Sequence, residues 1–230
     1  SLNINKLQKY VLKYKADMGF AFDGDSDRVI AVDEKGQVVD GDKIIYLLAK
    51  YYLENGKLEK PIVVGTRHTN MGVEKALNEL GVSMIRTDIG DKYVSQKLEE
   101  KDLLIGGEQS GHVFMKDVLP TGDGVLNALI MAEIITKSGK PFSTNFDFEL
   151  YNQVNINVKV DDKMRIINSE ALSVATEREE KVLGDKGRIM IRVSGTEPYI
   201  RIMVESRDED LSRTCAYRLK EVIESMNGED

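Results

Sequence analysis

Strand-like and helix-like patterns alternate between residues 40 and 137, and this alternation constrains the fold more than any other feature. Short apolar runs predict strands at residues 61–65, 82–86 and 103–106. Helical patterns surround them at residues 43–53, 71–80, 91–101 and 124–136. Parallel strands require long crossover connections, which helices provide. The sequence therefore predicts an α/β layer with a mainly parallel sheet, in which Asp42 and Asp123 are the expected N-caps of the first and last helices.

The pattern changes after a linker-like segment at residues 138–141. A strand is predicted at 151–160, a helix at 161–175, two strands at 188–192 and 199–204, and an amphipathic helix at 208–226. This order is typical of a small α+β domain. The predicted fold is thus a mixed α/β protein with a smaller α+β domain at its C-terminal end.

Three carboxylates alternate with small residues between two apolar runs at residues 18–34. Asp23, Asp25 and Asp27 are followed at once by Arg28, and the segment predicts a strand, an acidic loop and a second strand. Carboxylates held this close repel one another unless a cation neutralises them. Three hard oxygen ligands favour a divalent cation such as Mg²⁺.

The acidic loop has three competing interpretations. An EF-hand requires glycine at the sixth position, where this sequence has Arg28, and strand-like residues follow. A phosphatase that uses Asp23 as a nucleophile fits an Asp-x-Asp motif after a strand, but leaves the third aspartate and Arg28 unexplained. A solvated turn is the plainest alternative, although turn geometry alone does not select these residues.

A second polar stretch, Gly107-Glu-Gln-Ser-Gly-His112, follows the strand predicted at 103–106. Glu108 and Ser110 are suited to hydrogen-bond a pair of sugar hydroxyls, and such contacts discriminate strongly. His112 is a candidate general acid or base because its unperturbed pKa lies near neutrality. A glycine-rich loop with an exposed histidine is the competing interpretation. His68, which also follows a predicted strand, is a further candidate to face the same cleft.

A third stretch, Arg192-Val-Ser-Gly-Thr-Glu-Pro-Tyr-Ile-Arg201, lies between two predicted strands. Arginine donors, two hydroxyls and the backbone at a glycine suit a phosphate dianion. The candidate ligand groups are those of Arg192, Ser194, Gly195, Thr196 and Arg201. A solvated hairpin with arginines is the alternative.

The composition limits the classes of partner that the chain is expected to bind. The net charge of −7 argues against nucleic acid, and no apolar run is long enough to predict a membrane-spanning helix. The single cysteine, Cys215, excludes an internal disulfide and agrees with a cytoplasmic protein. Against a negative overall charge, an anionic substrate needs a local cationic site, and Lys186, Arg188 and Arg207 lie close in sequence to the two loop arginines.

The three motifs, in this order, resemble the α-D-phosphohexomutase superfamily over essentially the whole chain. Asp-Gly-Asp-Ser-Asp-Arg resembles its metal loop, Gly-Glu-Gln-Ser-Gly-His its sugar loop and Arg-Val-Ser-Gly-Thr-Glu-Pro its phosphate loop. Gln109 and the Ser-Gly-Thr-Glu-Pro wording resemble the bacterial branch that acts on glucosamine phosphate. Val193 departs from the proline often found at that position.

The resemblance implies a reaction in which a phosphoserine donates its phosphoryl group to glucosamine 6-phosphate, and the bisphosphate then reorients and returns the other group. It assigns Mg²⁺ to Asp23, Asp25 and Asp27, and the transferring phosphate to Arg28. It assigns the sugar to Glu108 and Ser110, acid–base chemistry to His112, and the non-reacting phosphate to the third loop. A phosphomannomutase or phosphoglucomutase, and a non-catalytic sugar-phosphate-binding module, are the alternatives.

The same resemblance predicts a C-terminal fragment, because family members are about twice as long and carry their serine loop in a first domain. The expected division is residues 1–39 as the end of domain 2, residues 40–147 as domain 3 and residues 148–230 as domain 4. The isolated chain is expected to be inactive and weak in Mg²⁺ binding. A full-length parent is expected to be a homodimer, and the fragment a monomer.

Overall fold

A computed structural model of the chain describes residues 4–227. Contacts between residues divide the chain into two compact units, Ser1–Glu149 and Leu150–Asp230. The expected fold class, mixed α/β followed by a smaller α+β unit, is confirmed. The finer division into three domains stays a prediction. No helix among the described residues is both long enough and apolar enough to span a membrane.

The first unit begins with a helix and a small antiparallel sheet of order β1-β2-β3. The elements are α1 (Ile4–Tyr14), β1 (Met18–Phe22), β2 (Val29–Asp33) and β3 (Val38–Val39). Both strands predicted around the acidic loop are present, and Phe22 pairs with Val29 at the end of the ladder beside the loop. The strand β3 pairs with β2 over only two residues.

The rest of the first unit is the predicted α/β layer, with a four-stranded sheet of order β5-β4-β6-β7. Its elements in chain order are α2 (Gly41–Glu54), β4 (Ile62–Thr66), α3 (Met71–Glu79), β5 (Ser83–Thr87), α4 (Asp91–Lys101), β6 (Ile105–Gly107), β7 (Val113–Met115) and α5 (Gly124–Ser138). The strands β5, β4 and β6 are parallel, whereas β7 is antiparallel to β6. A buried cluster of Val64, Val94, Leu98, Leu103 and Phe114 joins this sheet to α4.

The expected N-cap of α2 is wrong. The N-cap of α2 is Asp40, whose carboxylate accepts from the amide of Lys43, whereas Asp42 lies buried in the first turn. Helix α5 begins after Asp123 as predicted, but Leu129 is 66% exposed and is not part of its core face. The buried face of α5 is instead formed by Asn127, Ala128, Met131, Ile134 and Ile135, because these residues lie toward the neighbouring elements of the unit.

The second unit packs helices against an antiparallel sheet of order β8-β10-β9. Its elements are β8 (Asn152–Lys159), α6 (Lys163–Ile167), α7 (Glu170–Leu183), β9 (Gly187–Val193), β10 (Tyr199–Ser206) and α8 (Glu209–Met226). The single helix predicted at 161–175 is wrong. It is two helices, since Ser169 caps a new one. The core includes Ile200, Ile202 and Val204 from β10 and Cys215 and Leu219 from α8, so Cys215 is a packing residue.

Candidate active site

The aspartate loop joins β1 to β2 and gathers three carboxylates. Asp23, Asp25 and Asp27 each place one oxygen within 4.8 Å of the others. Ser26, between the last two, adopts a left-handed conformation with φ of 62°, and its carbonyl accepts from the amide of Gly124 at 2.9 Å. The start of α5 therefore holds the turn in which the carboxylates converge.

Arg28 folds back over the aspartate loop. Its amide donates to Asp23 Oδ1 at 3.3 Å, and its Nε lies 3.7 Å from Asp23 Oδ2 and 3.9 Å from Asp27 Oδ1. Burial raises the pKa of Asp27, the His112 ring opposes this shift, and the neighbouring carboxylates of Asp23 and Asp25 add to it. Among the described residues, Asp27 Oδ1 is a buried oxygen without a hydrogen-bond donor. Crowded acidic oxygens with an unfilled lone pair fit a divalent cation.

The sugar loop, residues 107–112, connects β6 to β7 and is therefore a hairpin turn rather than an open loop. The amide of Glu108 donates to His112 O at 3.0 Å, and Gly111 N donates to Glu108 O at the same distance. Sequence reasoning missed β7 because the strand is only three residues long. The hairpin fixes the direction in which Glu108 and Ser110 can point.

Neighbouring elements hold this hairpin on two sides. Gly41 N, at the start of α2, donates to Gln109 O at 3.0 Å, and Val29 N, at the start of β2, donates to Gly111 O at 3.2 Å. A Cβ atom on Gly41 would lie 1.9 Å from Glu108 O, so only glycine permits this approach. The aspartate loop and the sugar loop are thus parts of one hydrogen-bonded assembly within the first unit.

Glu108 and Ser110 line a cavity of about 320 Å³ together with Thr66, His68, Ile89 and Gln109. Glu108 Oε1 accepts from the amide of Gly90 at 2.9 Å, which orients one carboxylate oxygen. His68 is half-buried in this cavity, where sequence reasoning had named it only as a secondary candidate. The cavity offers a carboxylate, hydroxyls and an imidazole, which are groups suited to a polyhydroxylated ligand.

His112 does not line this cavity. It is 5% exposed, and its Nδ1 lies 3.0 Å from Asp27 Oδ2, within ion-pairing distance but without hydrogen-bond geometry. Its ring packs beside Phe114 with 4.9 Å between centroids. A Cβ atom on Gly122 would lie 2.1 Å from Nε2 of His112, so this glycine leaves room for the ring. The structure places His112 behind the aspartate loop instead of exposed in the sugar loop.

The buried carboxyl of Asp42 lies beneath the segment that carries His68. Its Oδ2 accepts from the amide of Asn70 at 2.8 Å, and Asn70 in turn caps α3. Burial, reinforced by the nearby Asp40, raises the pKa of Asp42 to about 8. Asp40 also accepts a hydrogen bond from the Gln109 side chain, so the first turn of α2 contacts both sides of the cavity.

The phosphate loop, residues 192–201, joins β9 to β10 in the second unit. Arg192 and Arg201 are directly opposite each other in the ladder, and burial together with Arg201 lowers the pKa of Arg192. Ser194 is buried, whereas Gly195 and Thr196 are exposed at the tip. Arg201 Nη2 lies 3.5 Å from Ser194 Oγ and 2.7 Å from Glu197 Oε2. The loop therefore concentrates positive charge beside hydroxyl and backbone donors.

The ammonium group of Lys163, at the start of α6, donates hydrogen bonds to the backbone of the phosphate loop. Its Nζ donates to Ser194 O at 2.8 Å and to Glu197 O at 3.0 Å. These two carbonyls bracket the exposed tip, so one ammonium group fixes both ends of the turn. Sequence reasoning did not identify Lys163, because no motif links it to the loop. Of the other cations noted in the sequence, Arg188 pairs with the buried Glu205 and Arg207 lies over the ring of Tyr151.

Two family models match most of this chain. Residues 40–151 match the family model described as phosphoglucomutase/phosphomannomutase, alpha/beta/alpha domain III, and residues 156–222 match the C-terminal domain of the same family. The phosphoglucosamine mutase of Oceanobacillus iheyensis is 43% identical over 99% of this chain and 51% of its own length. That of Bacillus subtilis is 39% identical over 96% of this chain and 50% of its own length. The chain spans about half the length of the curated relatives it matches.

Solved structures share the fold. A phosphoglucomutase/phosphomannomutase family protein from Burkholderia thailandensis superposes with a TM-score of 0.75 at 22% identity, covering 97% of this chain and 50% of that one. The Aspergillus fumigatus N-acetylphosphoglucosamine mutase, in complex with GlcNAc-6P and magnesium, gives a TM-score of 0.74 at 19% identity, covering 89% of this chain and 51% of that one. The two family matches together extend over most of the sequence, and the chain belongs to the phosphoglucomutase/phosphomannomutase family.

Proposed function

We propose that this chain is part of a phosphoglucosamine mutase, which interconverts glucosamine 6-phosphate and glucosamine 1-phosphate. The observation that carries the proposal is the hydrogen-bonded assembly of the aspartate loop and the sugar loop within one unit. A phosphoryl-transfer enzyme for sugars needs both a cation site and a hydroxyl-recognition site, and this assembly offers both. The names of the curated relatives favour glucosamine as the sugar.

The aspartate loop would hold Mg²⁺ through Asp23, Asp25 and Asp27. When bound, the ion supplies positive charge that offsets the charge of a transferring phosphoryl group. Arg28 adds a forked cation at the rim of the same loop, where it is 46% exposed at its side chain and accessible to a phosphate oxygen. We assign His112 a positioning role, because its buried ring lies against Asp27, with Nδ1 3.0 Å from Oδ2.

The sugar cavity would bind the hexosamine. Glu108 offers one carboxylate oxygen fixed by Gly90 and a second oxygen for a hydroxyl or an ammonium group. Ser110 and His68 add donors on the wall of the same cavity. A carboxylate favours the ammonium group of glucosamine over the neutral hydroxyl of glucose or mannose, because the charge-assisted bond is the stronger one.

The phosphate loop would bind the phosphate that does not react. Arg192 and Arg201 supply charge, and Ser194, Thr196 and the backbone at Gly195 supply donors. Two arginines beside a turn of backbone amides are a strong combination for a phosphate dianion.

Binding by the 230-residue chain tests the proposal directly. Calorimetric titration with glucosamine 6-phosphate in the presence of MgCl₂ is expected to give saturable binding that Glu108→Ala and Arg192→Ala each weaken. Glu180→Gln, an exposed change on α7, is the matched control and should bind like the parent. Absence of saturable binding by the unsubstituted 230-residue chain would overturn the proposal.

A phosphomannomutase or phosphoglucomutase is the second candidate, because the family models carry that description. Titration with glucose 6-phosphate and mannose 6-phosphate separates the two: equal or tighter binding of either favours the second candidate. We expect no turnover from the 230-residue chain alone, because its curated relatives are about twice as long. Binding without turnover would also fit a non-catalytic module, and turnover by a full-length relative that carries these residues excludes that alternative.

A further inference from the structure

One carboxylate occupies the cationic centre of the phosphate loop. Glu197 Oε2 accepts from Arg201 Nη2 at 2.7 Å and lies 3.5 Å from Ser194 Oγ. These are two of the groups that the proposed function assigns to phosphate. The Glu197 side chain therefore lies where a phosphate oxygen is expected to bind.

The charge of the loop is strongly positive without this carboxylate. Arg192 and Arg201 face each other across β9 and β10, and the Lys163 ammonium lies on the carbonyls of Ser194 and Glu197. Arg201 Nε is a buried donor without a hydrogen-bond acceptor among the described residues. Glu197 thus offsets only part of the positive charge of the loop.

The side chain of Glu197 can leave without disturbing the turn. Its backbone is held independently, because Glu197 N donates to Ser194 Oγ at 3.4 Å and Glu197 O accepts from Lys163 and from Tyr199 N. The side chain itself is 50% exposed and the ion pair faces solvent. Exposed ion pairs of this kind contribute little free energy, so a stronger anion can displace the carboxylate.

We propose that Glu197 acts as an internal competing anion, so that an external anion binds to the phosphate loop by displacing this carboxylate. This inference rests on the proposed function of the loop. Exchange of Glu197 for a monoanion leaves Arg201 facing one negative charge, as before. Exchange for a dianion increases the opposing charge on the guanidinium. The carboxylate therefore weakens the binding of every anion by the cost of its own displacement, and the loop retains only anions whose contacts exceed those of the carboxylate.

The alternative is that Glu197 merely stabilises the turn. The isosteric change Glu197→Gln separates the two interpretations, because its amide oxygen can still accept from Arg201 while the negative charge is removed. The turn contacts of the backbone are unaffected by the change. Glu180→Gln removes one exposed negative charge from α7 and is the matched control for net charge.

The experiment is a calorimetric titration at pH 8 with inorganic phosphate, which is a dianion there, and with dimethyl phosphate, which is a monoanion. We expect Glu197→Gln to bind inorganic phosphate roughly two- to fivefold more tightly than the unsubstituted chain. We expect dimethyl phosphate to gain by about the same factor, because the cost of displacing the carboxylate is common to both ligands. The control is expected to match the parent for both ligands.

The outcomes distinguish this inference from the proposal beneath it. If the parent and Glu197→Gln both fail to bind inorganic phosphate, the assignment of the loop to phosphate is wrong, and the inference is overturned with it. If the parent binds phosphate and Glu197→Gln shows unchanged or weaker affinity for both ligands, the loop assignment stands and the competing-anion role is overturned.

Discussion

His112 Nδ1 lies 3.0 Å from Asp27 Oδ2, so a residue of the sugar loop contacts a carboxylate of the aspartate loop. Groups behind a metal ligand commonly set its orientation, and their loss weakens metal binding. We expect His112→Ala to weaken Mg²⁺ binding roughly tenfold. Titration calorimetry with MgCl₂ measures this affinity. The control is His68→Ala, because His68 lines the sugar cavity. Unchanged affinity in His112→Ala would show that the contact is only packing.

Removal of one carboxylate from the aspartate loop should affect thermal stability differently with and without metal. In Asp25→Asn one of three crowded negative charges is removed, so stability without metal should be unchanged or slightly higher. The increase in melting temperature on adding MgCl₂ should be lost, because stabilisation follows from binding to the folded state. Thermal unfolding with EDTA and then with excess MgCl₂ tests both effects. Asp185→Asn, a change at an exposed aspartate in the second unit, should retain the full Mg²⁺ shift.

The buried carboxyl of Asp42 should make the stability of the first unit depend on pH. Its pKa is about 8 in the folded protein and about 4 in an unfolded chain, so the folded state holds the proton between these values. Stability therefore falls as pH rises from about 4 to about 8, with a slope of at most about 1.4 kcal/mol per pH unit. Above pH 8 the buried carboxylate is charged in both states and the loss is complete.

Asp42→Asn is expected to abolish this slope, because the amide stays neutral and its oxygen can still accept from Asn70 N. Hydrogen exchange of the α2 and α3 amides at pH 5 and pH 8.5 is the measurement. The variant should be protected more strongly than the parent at pH 8.5 and similarly at pH 5. Equal pH dependence in both proteins would contradict the burial argument.

A side chain at position 122 should clash with the His112 ring. In Gly122→Ala the new methyl group meets the His112 ring, which must shift from Asp27 or distort the turn. Overpacking of this kind costs about 1–3 kcal/mol, so the melting temperature should fall by several degrees and Mg²⁺ affinity should fall with it. Gly24→Ala, where an added Cβ meets no atom within 4 Å, is the stability control. Equal melting temperatures of the two variants would argue against a rigid His112 pocket.

Removal of the Lys163 ammonium group should leave the phosphate loop less preorganised for binding. Lys163→Met keeps the aliphatic stem but removes the donor to Ser194 O and Glu197 O. We expect weaker binding of inorganic phosphate by roughly tenfold, since two ends of the loop are released and one nearby positive charge is lost. Calorimetry at two salt concentrations is the readout. Lys181→Met, an exposed change in the last turn of α7, should bind phosphate like the parent.

Local patterns predicted much of the fold. The alternation of apolar strands and helices located the parallel sheet, and Asp123 is identifiable as a cap because an acidic residue precedes a periodic run. The strand β7 is not predictable in this way because three residues give no periodicity. The sequence alone does not distinguish the buried first-turn carboxyl of Asp42 from the cap two residues earlier.

The candidate site was predicted in its parts but not in its contacts. The three aspartates converge because they alternate within one turn, which is local information. The direction of His112 toward Asp27 depends on how the β6–β7 hairpin packs on β2, and spacing in the sequence carries no record of it. The same holds for Lys163, which reaches its loop from a helix that precedes it in the chain.

The hydrogen bond between Val29 N and Gly111 O has a mechanical consequence. It fastens the strand that leaves the carboxylates to the turn that carries Glu108. On the proposed function, the distance between the cation site and the sugar site is therefore set when the first unit folds. A sugar phosphate of a different length would then present its phosphate out of reach of the cation.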